Sequence, residues 1–241
     1  MFQRVVEYEA VYLAKFPCFE GDLGQALAWA MERAGQLGSG ITVVAPTRDR
    51  FRDGVLAELP AWIGRETPRT LGQIGHRAQP VLVACWPSAK DLDMLDGLPG
   101  LKALVVVPWN EGEIGTWRDA RHAVDLLGHR PPTPEPTISD PVVEIAMTDV
   151  TTRVNLSTGL SHPDDRSAAI QALQILKRNG HHFQPDEIRA WAMANGWKAD
   201  HARQLGEYAA GVLAGKAYRT GRQQWVSHII NRWRKEAAAE S

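Results

Sequence analysis

Short apolar runs alternate with helix-period segments in the first half of the chain, and helical patterns alone fill the second. Three runs, Ile41–Ala45, Val81–Cys85 and Ala103–Val107, are continuous and rich in β-branched residues. Parallel strands covered on both faces have that character. Between them lie helical patterns from Asp22 to Leu37, from Asp49 to Leu59, from Ala89 to Leu98 behind a Ser88 cap, and from Glu113 to Leu127. Glycines at 38 and 128 stop the first and last of these. A further strand is expected near Ala10–Phe16 and a weaker one near Arg69–Leu71. Strands separated by helices imply right-handed βαβ units and an open, mostly parallel sheet.

The pattern changes at Arg130–Pro136, where prolines at 131, 132, 134 and 136 form a semi-rigid spacer. Beyond it the residues predict a helical or mixed stretch at Pro141–Asn155, then helices over Pro163–Arg178, from Pro185 to Asn195, over Ala199–Ala214 and over Arg222–Ala238. Asn179-Gly180, Asn195-Gly196 and Gly215 end three of them. Only Asn195–Lys198 separates the second and third of this sharply bounded set, a helix-turn-helix connection with Gly196 in the turn. The expected fold is α/β: an N-terminal open, mostly parallel sheet with flanking helices, followed by a C-terminal all-α helix-turn-helix-like bundle. Its expected divisions are an α/β domain at 1–129, a linker at 130–139 and a helical domain at 140–241.

Charge sharpens this division. The 241 residues carry a net −1, yet residues 151–241 hold 13 Lys and Arg against 8 Asp and Glu, and the rest hold 14 against 20. An acidic half joined to a basic half points to a binding role for the basic one. The 44% apolar and 23% charged fractions exclude a disordered chain. Two cysteines exclude a disulfide framework or a four-thiolate zinc site, and read as reduced core thiols. No apolar run reaches the ~20 residues of a spanning helix, and no secretory leader follows Met1. A cytoplasmic protein with no membrane partner is expected.

In open parallel sheets ligands bind at the carboxyl ends of strands. There the loops present Thr47, Arg48 and Asp49, then Ser88, then Asn110 and Glu111, with Glu113 following. These form either a polar cleft for an anion or a set of helix caps and first-turn charges. The lysine-bearing phosphate loop and the dinucleotide glycine motif are absent after the first strand, and no cofactor is expected. Ala45-Pro46-Thr47-Arg48 resembles a segment of superfamily-2 helicases, but no phosphate-binding lysine loop or Asp-Glu metal motif accompanies it. No metal site is expected either: His181 and His182 are adjacent and point apart, and H-E-x-x-H and paired C-x-x-C motifs are missing. The polar run Thr151–Arg166 reads as a loop holding His162 with two carboxylates or, more simply, as a Ser161 cap on the helix at Pro163.

In the basic half, Lys198, His201, Arg203 and Gln204 fall on the outward side of the third helix, with Lys216, Arg219, Arg222 and Arg232 beyond it. Such residues contact phosphates and base edges. The leading expectation is a nucleic-acid-binding regulator or accessory protein, with duplex DNA as partner and a non-catalytic α/β domain. Asp200 and Glu207 on the same helix count against it. Two alternatives stay open: an enzyme acting on a nucleotide or other small anion in the α/β cleft, and a scaffold whose exposed tryptophans, among nine in the chain, dock a protein partner.

Overall fold

The computed structural model describes residues 8–74, 79–128 and 138–240. The proline-rich stretch Arg130–Pro136 lies outside the described residues. The chain divides between Glu135 and Pro136 into two compact units. The fold is α/β: a six-strand, all-parallel sheet with flanking helices in the first unit, and a helical second unit.

In the first unit the strands are β1 (Glu9–Tyr12), β2 (Ile41–Val44), β3 (Gly64–Glu66), β4 (Val81–Cys85), β5 (Ala103–Val107) and β6 (Val124–Asp125). The helices are α1 (Leu23–Leu37), α2 (Pro68–Ile74), α3 (Ala89–Asp96) and α4 (Glu111–Arg121). The strand order is β3-β2-β4-β5-β1-β6. Every residue of β2, β4 and β5 is buried, which explains their unbroken apolar runs. Alternate side chains serve opposite faces. Val43, Val83 and Val105 meet Leu23, Ala26, Ala30 and Ala34 of α1, whose small side chains let the helix lie close. Leu82, Leu104 and Val106 meet Leu71 of α2, Leu92 and Leu95 of α3, and Ile114 and Trp117 of α4.

The faces decide where a ligand can enter. The chain leaves β1 through α1, and leaves β2 through a loop whose Leu56, Leu59 and Ile63 join the same core. It leaves β4 and β5 through α3 and α4 on the other face. Adjacent connections therefore part at the β2/β4 and β5/β1 borders, opening crevices at the carboxyl edge.

Three expectations need correction here. Arg69–Leu71 lies in α2, and the strand is Gly64–Glu66 just before it; Pro68 opens the helix at a position that tolerates its missing N–H. The segment 49–59 holds only a 3₁₀ turn at Arg48–Phe51 followed by turns, with Gly54 at φ 66°. The last helix stops at Arg121 because His122 adopts the left-handed conformation (φ 48°), and β6 follows instead of more helix.

The second unit contains α5 (Pro141–Arg153), α6 (Pro163–Arg178), α7 (Pro185–Ala194), α8 (Ala199–Leu213) and α9 (Ile229–Glu240). α9 starts at Ile229, not Arg222, so Trp225 precedes it. Proline opens α5, α6 and α7. The cap of α6 is His162, whose Nδ1 accepts from Asp164 N at 3.3 Å, rather than Ser161. α7 and α8 join through Asn195–Lys198, with Gly196 at φ 87° and Trp197 buried. They pack closely at Gly206, where an added Cβ would stand 3.1 Å from Pro185 O.

All four tryptophans of this unit are buried with their indole N–H engaged. Trp191 donates to Glu144, Trp197 to Thr151, Trp225 to the Ala168 carbonyl and Trp233 to Asp149. They are core, as buried indoles with partners are. No helix among the described residues is long and apolar enough to cross a membrane.

Candidate functional site

A cavity of about 610 Å³ opens at the carboxyl edge of the sheet. That is room for a nucleotide-sized molecule. Four successive loops line it: Cys18, Phe19 and Gly21 after β1, Pro46 and Arg50 after β2, Trp86 after β4, and Trp109 and Glu113 after β5.

Trp86 is fixed from three sides. Its backbone N–H donates to Val107 O (2.7 Å) and its Nε1 to Cys18 O (2.7 Å), and the Arg50 guanidinium lies over its ring, 5.5 Å from the centroid. Its backbone is left-handed (φ 50°), a conformation that costs an L-residue about 1–2 kcal/mol. Strain of this kind concentrates at ligand sites. Phe19 and Trp109 are both more than half exposed and meet edge-to-face, with centroids 5.9 Å apart and planes at 85°. They form a right-angled aromatic corner beside Glu113.

The Arg50 guanidinium and the Glu113 carboxylate form no ion pair or side-chain hydrogen bond among the described residues. A cation and an anion thus line one cavity without neutralising each other. Cys18 lies buried in the floor, its Sγ donating to Lys15 O at 2.9 Å. Burial first, and the nearby Asp22 charge second, push its pKa up to about 11. It is a thiol at neutral pH, not an activated nucleophile. Asp22 is held below the usual carboxylate range by the Lys15 ammonium, 2.6 Å away, and by the Phe19 N–H it accepts.

Of the cleft residues expected from the sequence, Glu113 lines the cavity, while the others lie in the right loops without lining it. Ser88 and Asp91 form a reciprocal capping box on α3, and Asn110 caps α4 by accepting from Glu113 N at 3.0 Å. Asp49 pairs with Arg52, and Glu111 with Arg118. Thr47 and Arg48 are exposed at the start of the 3₁₀ turn. Helix ends claim the short polar side chains, leaving their larger neighbours Arg50, Trp86, Trp109 and Glu113 to form the wall.

Most of the basic candidates in the helical unit have internal partners. Lys198 Nζ donates to Ser157 O (3.0 Å), and Arg203 pairs with Glu207 one turn along α8. His201 lies against Gly159 (φ 57°), where a Cβ would fall 2.2 Å from its Cγ. Arg232 pairs with Asp149 and Glu236. Lys216 stands 5.2 Å over the Tyr218 ring, and Gln204 is half-buried. Arg219 and Arg222 are exposed. A smaller cavity near Lys177, Arg178 and Lys216 lies at the carboxyl ends of α6 and α8, where cations balance the helix dipoles. Lys177 Nζ is already committed to the Val212 and Leu213 carbonyls. The polar run before α6 is turn and cap chemistry, with Asp165 accepting from Asn155 N. Of the tryptophans, Trp62 and Trp109 are exposed, both in the α/β unit.

Residues 139–234 match the model of a domain of unknown function, DUF1889, which overlaps the helical unit. No curated protein and no solved structure matches the chain. Among the described residues, no three His, Cys, Asp or Glu side chains group as a metal site.

Proposed function

We propose that the α/β unit binds a small anionic molecule in the cavity at the carboxyl edge of its sheet. The observation that carries this reading is Arg50, a guanidinium held on the Trp86 ring inside that cavity with no carboxylate partner among the described residues. Guanidinium groups match phosphate and carboxylate oxygens with two parallel hydrogen bonds. Calorimetric titration with inorganic phosphate and ribose 5-phosphate tests it. Arg50→Ala should weaken binding by roughly 10-fold or more, since a charged hydrogen bond contributes about 1.5–3 kcal/mol. Thermal stability should barely move, because Arg50 is exposed. Equal affinities for the two proteins would remove the reading.

Nucleic-acid binding by the helical unit is the second reading. What favours it is the stretch 216–222, where Lys216, Arg219 and Arg222 are exposed with no acidic residue among them. The expected result is weak, sequence-independent binding to duplex DNA that falls steeply with salt. Replacing Arg219 and Arg222 together by Ala should flatten the slope of log affinity against log salt by about 2. A slope unchanged by the double replacement would place any DNA contact elsewhere.

A further inference from the structure

We infer that the cavity is built for a nucleoside monophosphate whose base carries paired N–H donors, guanine above all. The inference rests on the anion-binding reading of Arg50 and adds the other end of the ligand. Arg50 follows β2 and Glu113 follows β5, with β4 between those strands. At about 4.8 Å per strand the two strand ends are about 10 Å apart. A phosphate at one end and a base edge at the other span a distance of that order.

Three features select the base. Phe19 and Trp109 meet at 85°, so a flat ring laid on one wall meets the other at its edge, an arrangement aromatic rings favour. Trp86 cannot offer its N–H to a ligand, because Cys18 O already accepts it, so this residue supplies a surface and not a polar contact. Glu113 supplies the polar contact: a carboxylate with two acceptor oxygens and no side-chain partner among the described residues.

The position of Glu113 also distinguishes a neutral N–H donor from an ammonium group. It lies in the first turn of α4, where the helix dipole presents its positive end. The dipole reduces the gain from a full positive charge more than the gain from a neutral edge with two N–H groups. Guanine presents two such groups side by side, N1–H and the 2-amino group, and a carboxylate accepts both. Hypoxanthine keeps the first and lacks the second.

Calorimetric titration of the full chain with guanosine monophosphate, inosine monophosphate, ribose 5-phosphate and guanosine tests the assignment. Guanosine monophosphate should bind about 10-fold or more tighter than ribose 5-phosphate, and about 5-fold or more tighter than inosine monophosphate. Glu113→Gln should bring the guanine and hypoxanthine ligands within about 2-fold of each other. Trp109→Ala should weaken both nucleotides and spare ribose 5-phosphate. Thermal melting of each variant checks that it folds.

Equal binding of the two nucleotides by the unaltered protein would overturn the inference. So would a Glu113→Gln protein that keeps the guanine preference. If ribose 5-phosphate binds through Arg50 and the base adds nothing, the base assignment fails while the anion site stands. If guanosine binds as well as its monophosphate, and Arg50→Ala changes neither, the anion reading itself fails.

Discussion

Asp96→Ala is expected to destabilise the α/β unit strongly, by about 3–5 kcal/mol. The Asp96 side chain is 1% exposed and receives the Arg121 guanidinium through two hydrogen bonds, Nε at 2.6 Å and Nη2 at 2.5 Å. Tyr8 donates its hydroxyl to the same carboxylate at 2.5 Å and accepts from Trp117 Nε1 at 2.8 Å. The network ties Tyr8, just before β1, to α3 and α4 on one face of the sheet. Burial first, and the Asp96 charge beside it, raise the Tyr8 phenol well above its ordinary pKa, so it remains a donor through neutral and mildly alkaline pH. Removing the carboxylate strips the guanidinium of its paired anion and Tyr8 of its acceptor, while the burial of both remains. Urea unfolding followed by circular dichroism should show the loss. A change below about 1 kcal/mol would mean that Arg121 swings out to water and that the network contributes little.

The second large effect is in the helical unit, where Trp233→Ala should cost about 3–5 kcal/mol and Arg232→Ala less than about 1 kcal/mol. Trp233 is fully buried, donates to Asp149 at 2.6 Å, and meets Trp225 edge-to-face at 5.3 Å. Truncating it empties the contact between α9 and α5 and removes a donor from Asp149. Arg232 pairs with the same aspartate, but its side chain is about half exposed and water can replace it. Parallel unfolding curves for the two variants check this contrast. Equal losses would show that the Arg232–Asp149 pair, not aromatic packing, holds α9 in place.

Periodicity and punctuation made much of this fold legible. Pro163, Asn179, Pro185 and Gly215 bracket helices that lie within a residue or two of their expected bounds, because proline and glycine act on the backbone locally. Local logic failed where pairing at a distance decides the outcome. Val124 and Asp125 form a strand because β1 lies beside them, with Val11 opposite Val124 and Tyr12 opposite Asp125. Read alone, the same residues continue a helix. The cavity was legible only to the level of loops. Polar residues after strands drew attention to Ser88 and Asn110, yet short polar side chains at those positions are consumed by the helices they precede. The wall came from Arg50, Trp86 and Trp109, and the signal that could have marked it is the aromatic residue following β4 and again following β5. In the basic half, charge by itself could not reveal that Glu207 and Asp149 already hold Arg203 and Arg232.

The sheet is bounded by its two shortest strands, three residues in β3 and two in β6. An unpaired strand edge is a template on which a stray extended chain can add, and the danger grows with the length of the edge. Here the template is only a few peptide groups long on either side. Beyond β6 the chain turns away, with the Asp125 carboxylate accepting from the N–H groups of Ala14 and Leu127. A broad core of three fully buried strands is thus closed off by borders too brief to seed a ladder. Concentrated solutions of this chain should resist strand-to-strand aggregation at these edges.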